Sequence, residues 1–174
     1  MEKSADSNKM RNSIGYSLIE VLTVLVIVGL FSGLALAAYN SFSEKKNLEN
    51  ASQKIVDALT QAKIKSASGD ASLCNASPPI TPAVIDFSIR RTSATAIQLL
   101  PNCAAGTAVP KDYTVSSNVT IGNFADITFK NLTAGVQNWG CFEVQSGSNN
   151  CRYIQVTNQG AITEGSTPCA GSCP

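Results

Sequence analysis

The 174-residue chain contains no histidine. That absence excludes Ser-His-Asp and Cys-His nucleophile systems, and with them most catalytic zinc sites, which depend on imidazole. A surplus of one charge is missing too. The formal net charge is +1; of 13 basic and 12 acidic residues, Lys3, Lys9, Arg11, Glu2 and Asp6 fall in the first 15 positions, leaving ten of each. A protein that grips nucleic acid by neutralising phosphates carries a basic excess, so nucleic acid is not an expected partner. No glycine-rich phosphate loop and no pair of carboxylates set for acid–base work stands out. The sequence therefore predicts neither an enzyme nor a cofactor. Aromatic residues make up only 6% of the chain, so a folded domain here has few large core side chains and needs covalent support.

What the chain does have is one long apolar run, from Tyr16 to Tyr39, in which the only ionisable side chain of the bilayer-facing part is Glu20. A run of this length can cross a hydrocarbon core of roughly 30 Å as a helix. Lys9 and Arg11 precede it, which predicts a single pass with the N-terminus inside and the remainder extracytoplasmic. Leu36-Ala37-Ala38 has the small residues of a secretory cleavage site. The sharper boundary is the polar-to-apolar step at Gly15-Tyr16, with a carboxylate just inside it. A lone acid at the mouth of such a run is costly to bury, so a chain that keeps one uses it.

Gly15-Tyr16-Ser17-Leu18-Ile19-Glu20, followed by Val21-Leu22-Thr23-Val24-Leu25-Val26-Ile27, resembles the class III signal of type IV prepilins. The resemblance implies cleavage by a prepilin peptidase after Gly15, N-methylation of the new first residue Tyr16, and retention of the apolar helix in a filament core. It places Glu20 as the acid that meets the α-amine of a neighbouring subunit. An unpaired charge in so dry a core costs several kcal/mol, which is the physical reason for such a pairing. Tyr16 stands where most members have phenylalanine. Ala35-Leu36-Ala37-Ala38 stands where many major pilins have a proline, so no proline kink is expected. Gly29 and Gly33 form a small-xxx-small pair that permits close helix approach.

Past the apolar run, 43–68 contains no proline or glycine, and Gly69-Asp70 reads as a helix stop. Leu48, Ala51, Ile55, Leu59 and Ala62 recur at three- and four-residue steps, which predicts one buried stripe on a continuing helix. The opposite face carries Lys45, Lys46, Glu49, Lys54, Asp57 and Lys65 and is expected to be solvated. The stretch Ala58 to Asp70 resembles the end of the long helix in the GspH/FimT group of minor pseudopilins and pilins. The hairpin from Arg152 to Ile162 resembles that group's closing strands.

From Ala83 onward, alternating or β-branched runs predict an antiparallel sheet of short strands at Ala83–Ile89, Thr95–Leu100, Tyr113–Ile121, Ala125–Phe129, Phe142–Gln145 and Tyr153–Val156. All six cysteines lie beyond the apolar run, which suits a disulfide framework in an oxidising compartment. Fifteen pairings are possible. The expected set is Cys141–Cys151, across a Ser/Gly/Asn turn, with Cys74–Cys103 and Cys169–Cys173 following. The sharper alternative for Cys169-Ala-Gly-Ser-Cys173, a metal site, lacks histidine ligands. Arg90-Arg91 points to opposite faces of a strand and predicts a surface salt bridge rather than a phosphate site. Trp139 is expected as a core or edge aromatic. Some FimT-like pilins bind DNA through a basic tail, whereas the tail from Thr163 to Pro174 carries Glu164 and no Lys or Arg.

Together these readings predict an α+β chain: a leader (1–15), a transmembrane assembly helix (16–42), and a disulfide-stapled extracytoplasmic head (43–174) made of an amphipathic helix (43–69) and a sheet. The resemblance implies a pilus or type II secretion-type subunit of the inner membrane, partnered by prepilin peptidase, other pilins and the assembly platform. A minor subunit is expected first; a major pilin and a DNA-uptake pilin are the alternatives.

Overall fold

The computed structural model describes residues 15–75, 84–104, 106–130, 135–147, 150–167 and 169; the side chains of 33–38, 84, 85 and 167 are not described. The leader before Gly15 and Cys173 lie outside the described residues. The chain divides into two compact units, Met1–Asn40 and Ser41–Pro174.

Helix α1 (Leu18–Ser68) contributes to both units. Within the second unit, Leu48, Ala51, Ile55, Ala58, Leu59 and Ala62 are buried, so the apolar stripe seals one helix face as its spacing requires. Ser52 and Ser66 share that face and stay satisfied. Ser52 Oγ donates to Glu164 Oε2 at 2.6 Å and Ser66 Oγ donates to the Phe129 carbonyl at 2.8 Å. The helix stops where the sequence says it should. Gly69 takes a left-handed φ of 62°, its N–H bonds to the Ser66 carbonyl, and the Asp70 N–H bonds to the Lys65 carbonyl. This is a Schellman cap, and a Cβ at Gly69 would be strained by its φ alone.

Asp70 then anchors the exit. Its carboxylate accepts from Lys65 Nζ and from the Ser72 N–H, and these hydrogen bonds lower its pKa to about 2.

Among the described residues eleven strands follow: β1 (Cys74–Asn75), β2 (Val84–Ser93), β3 (Ala96–Cys103), β4 (Thr107–Ala108), β5 (Lys111–Thr114), β6 (Val119–Ile121), β7 (Ile127–Lys130), β8 (Val136–Gln137), β9 (Gly140–Ser146), β10 (Asn150–Val156) and β11 (Ile162–Thr167). They form three antiparallel assemblies rather than the one expected sheet: a ribbon β1-β4, a sheet β5-β3-β2-β7-β8, and a sheet β11-β10-β9-β6. The split falls inside the run Tyr113–Ile121. Tyr113 pairs with Ile97 of β3, whereas Thr120 pairs with Gln145 of β9. The chain turns between them, with the Val119 N–H bonded to the Ser116 carbonyl at 2.9 Å. A β-branched run looks continuous in sequence even where a turn cuts it.

Alternation sends Phe87, Ile89, Ile97, Leu99, Ile127 and Phe129 from the first sheet into the core. Val119, Ile121, Phe142, Val144, Ile154 and Val156 enter from the second, and the helix stripe joins the same cluster. Arg91 ties the sheets together. Its Nε donates to the Ile121 carbonyl at 3.0 Å and its Nη1 to Asn123 Oδ1 at 2.7 Å. Arg90, on the other face, bonds Asp126 at 2.8 Å in an exposed ion pair.

Cys74–Cys103 is bridged, with a Cα–Cα distance of 5.9 Å. Cys151 pairs with Cys169, so the expected Cys141–Cys151 and Cys169–Cys173 pairings are corrected. The strand register gives the reason. Cys141 stands opposite Gln155 and Cys151 opposite Gln145, which puts the two cysteines four residues apart along the ladder. That is about 13 Å, beyond the roughly 7 Å limit between Cα atoms of a disulfide. Thr167 lies opposite Cys151, which brings the following Cys169 within reach at a Cα–Cα distance of 5.2 Å. Cys141 is itself disulfide-bonded.

Among the described residues, no helix is long and apolar enough to cross a membrane. The segment expected to cross, 16–42, includes residues 33–38, whose side chains are not described.

Candidate processing and assembly site at the N-terminal turn

Gly15, Tyr16 and Ser17 are non-helical and exposed, and the helix begins at Leu18. Ser17 is the cap. Its carbonyl accepts the Glu20 and Val21 N–H groups at 3.1 and 3.2 Å, and its Oγ lies 3.3 Å from the Glu20 nitrogen. The sequence Ser17-Leu18-Ile19-Glu20 is thus the S-x-x-E of a capping box, with Glu20 at its third helical position. That signal is present in the sequence alone. A first-turn carboxylate also faces the positive end of the helix dipole, a favourable placement of about 0.3–1 kcal/mol at an exposed terminus.

The Gly15–Tyr16 peptide lies before this cap, outside any hydrogen-bonded turn. A Cβ added at Gly15 would meet nothing within 4 Å. The chain's own packing therefore does not require glycine there, and any demand for it comes from whatever acts on the bond. Tyr16 is 80% exposed, and Tyr16, Glu20, Val21, Val24 and Leu25 line a shallow depression of about 410 Å³. Hydrolysis after Gly15 would place an α-amine at Tyr16, just ahead of a helix N-terminus whose dipole is already positive. Glu20 is the acidic group of that first turn.

Beyond Glu20 the side chains are apolar all round the helix. Leu18, Ile19, Val21, Leu22, Val24, Leu25, Val26, Ile27, Val28, Leu30 and Phe31 are all exposed. A helix of this kind is stable when its whole circumference is covered by lipid or by other helices. The two polar side chains within the run turn inward to the backbone. Thr23 Oγ1 donates to the Glu20 carbonyl at 2.9 Å and Ser32 Oγ to the Val28 carbonyl at 2.7 Å, so neither presents a free donor to an apolar surrounding. Gly29 is open to approach, with nothing within 4 Å of an added Cβ. Gly33 is helical, and its surroundings are outside the described side chains.

Residues 10–36 match the family model described as the prokaryotic N-terminal methylation motif. The chain carries a prepilin-type signal. The match covers Gly15, Tyr16, Glu20 and the apolar run as far as Leu36, and it supports a type IV pilin-family subunit processed by prepilin peptidase and assembled with other pilins. No curated protein and no solved structure matches the chain.

The remaining sequence candidates fall elsewhere. Cys169 is held in a disulfide, and among the described residues no group of His, Cys, Asp or Glu is arranged to hold a metal. Trp139 is 59% exposed, so it is not a core aromatic. It follows Asn138, whose left-handed φ of 55° marks a tight turn between β8 and β9.

Proposed function

We propose that this chain is a type IV pilin-like structural subunit, cut between Gly15 and Tyr16, methylated at Tyr16 and assembled from the inner membrane into a pilus or pseudopilus. The observation that carries the reading is the prepilin-type signal at 10–36, set on a helix whose large apolar side chains from Leu18 to Phe31 are exposed among the described residues. Lipid tails are as apolar as these side chains, so from the membrane the helix joins its copies through close packing and interhelical polar contacts rather than through removal from water. Before assembly the same surface anchors the subunit in the membrane.

In the filament, Glu20 pairs with the methylated α-amine of a neighbouring subunit and sets the axial step between them. The capping box supports this role by fixing the first turn, and so the position of the carboxylate relative to Tyr16. The head contributes surface rather than catalysis. Within the class we place the chain as a minor subunit of the GspH/FimT type, on the resemblance of Ala58–Asp70 and of the closing hairpin Arg152–Ile162.

The test is substitution of Glu20 by Ala and by Gln in the producing cell. We expect both variants to be cleaved and methylated normally but to be lost from sheared filaments, with the head still folded. Filaments that incorporate either variant at wild-type levels would remove Glu20 from assembly.

A further inference from the structure

The outer face of the five-stranded sheet holds a polar groove that the assembly reading does not use. Strand register builds it in two rows. Asn102 of β3, Asp86 of β2 and Lys130 of β7 stand side by side. Behind them come Leu100, Ser88, Thr128 and, on β8, Gln137. Together with Pro101 these residues line a groove of about 280 Å³. A third row, Gln98 with Asp112 and Arg90 with Asp126, is fully occupied by cross-strand bonds of 2.8 Å each. The second row is satisfied as well, since Ser88 and Thr128 share a 2.9 Å hydrogen bond.

The first row is different. Asp86 is an acid on the outer face, yet its side chain is only 4% exposed. Its Oδ2 accepts from Lys130 Nζ at 2.9 Å, while its buried Oδ1 has no hydrogen-bond partner among the described residues. Leaving a buried acceptor unmet is destabilising, and a ligand group that donated to it would remove that cost.

We propose that this groove binds a neutral saccharide. Asp86 and Lys130 cancel each other's charge, so the groove favours neither an anion nor a cation. A vicinal diol suits it: one hydroxyl donates to the Asp86 carboxylate and its neighbour accepts from Lys130. The broad torsional well of an Asp carboxyl lets it turn to share its two oxygens between Lys130 and the ligand. The exposed amides of Asn102 and Gln137 supply a donor and an acceptor on either side, and Leu100 offers an apolar wall for ring C–H groups. The volume lies just under the roughly 300–1,000 Å³ of small-molecule sites, which restricts the occupant to a single ring. Trp139, the chain's one tryptophan, stands exposed two residues beyond Gln137, within about 7 Å along the backbone. An exposed indole there is a stacking surface for the next ring of a longer glycan.

The experiment uses the full chain in a detergent without sugar headgroups. Methyl glycosides of mannose, galactose and N-acetylglucosamine are titrated by saturation-transfer NMR, with glycerol as the control polyol. At least one glycoside is expected to bind saturably below about 100 mM, and glycerol is not. Asn102→Ala and Gln137→Ala, both at exposed positions, should each weaken that binding about fivefold or more, the equivalent of one lost hydrogen bond. Asp86→Asn should abolish it, and circular dichroism checks that variant's fold. No saturable binding by any glycoside, an equal response to glycerol, or binding untouched by both exposed variants overturns the proposal. None of these outcomes depends on whether the chain enters a filament.

Discussion

Residues 18–32 and residues 48–66 belong to one hydrogen-bonded helix and differ in what their side chains meet. In the first stretch Leu18, Leu25 and Phe31 are 82%, 66% and 68% exposed, and in the second Ile55, Leu59 and Ala62 are at or below 1%. The second stretch is amphipathic: charges on one face, a stripe on the other, and its own chain covers the stripe with two sheets. The first is apolar on every side past Glu20, and no described residue of its own unit covers it. The same backbone geometry thus serves two kinds of burial, one completed within the subunit and one that needs other molecules.

The sharpest way to break this comparison is to cut an equal side chain from each stretch. Leu59→Ala should destabilise the head by about 2–5 kcal/mol, seen as an earlier urea or thermal midpoint, because Leu59 is fully enclosed. Leu25→Ala should leave that midpoint unchanged and reduce recovery in filaments instead. If both variants shift unfolding alike, the division between internal and external burial is wrong.

A smaller effect is expected from the covalent staples. Cys151→Ser should destabilise the head by about 2–4 kcal/mol, since it opens the link between β10 and the segment after β11. Non-reducing peptide mapping should recover Cys74 joined to Cys103 and Cys151 joined to Cys169. A Cys141–Cys151 peptide would contradict the strand register.

The smallest is electrostatic. Hydrogen bonds from Lys65 and Ser72 hold the Asp70 pKa near 2, below its ordinary value of 3.8. A depressed carboxylate pKa gives stability that is fully present above the unfolded value and is lost as pH falls through the folded one. Asp70→Asn should therefore destabilise by no more than about 1 kcal/mol at neutral pH, because the pair is partly exposed. The difference from wild type should shrink between about pH 4 and pH 2. A difference that persists unchanged at pH 2 would remove the ion pair as its cause.

Much of this was legible from residue spacing. The stripe from Leu48 to Ala62, the stop at Gly69 and most strands follow from periodicity and from residues with restricted backbones. The methylation motif at 10–36 was legible because it is local and lies in consecutive residues. What the sequence hid is long-range. The division into two sheets turns on a tight turn at 116–119 that no glycine or proline announces. The disulfides depend on a register that can be counted only once β9, β10 and β11 are paired. The groove around Asp86 draws on four strands at once, so no single stretch carries its signature.

The central claim is that the Gly15–Tyr16 bond is the processed one and that the apolar helix stays on the mature chain. Intact-mass and N-terminal peptide analysis of the protein recovered from its producing cell tests this most directly. The account predicts a mature chain that begins at Tyr16 with one added methyl group on its α-amine. A chain that begins after Ala38, or a tyrosine amine without methyl, would contradict it.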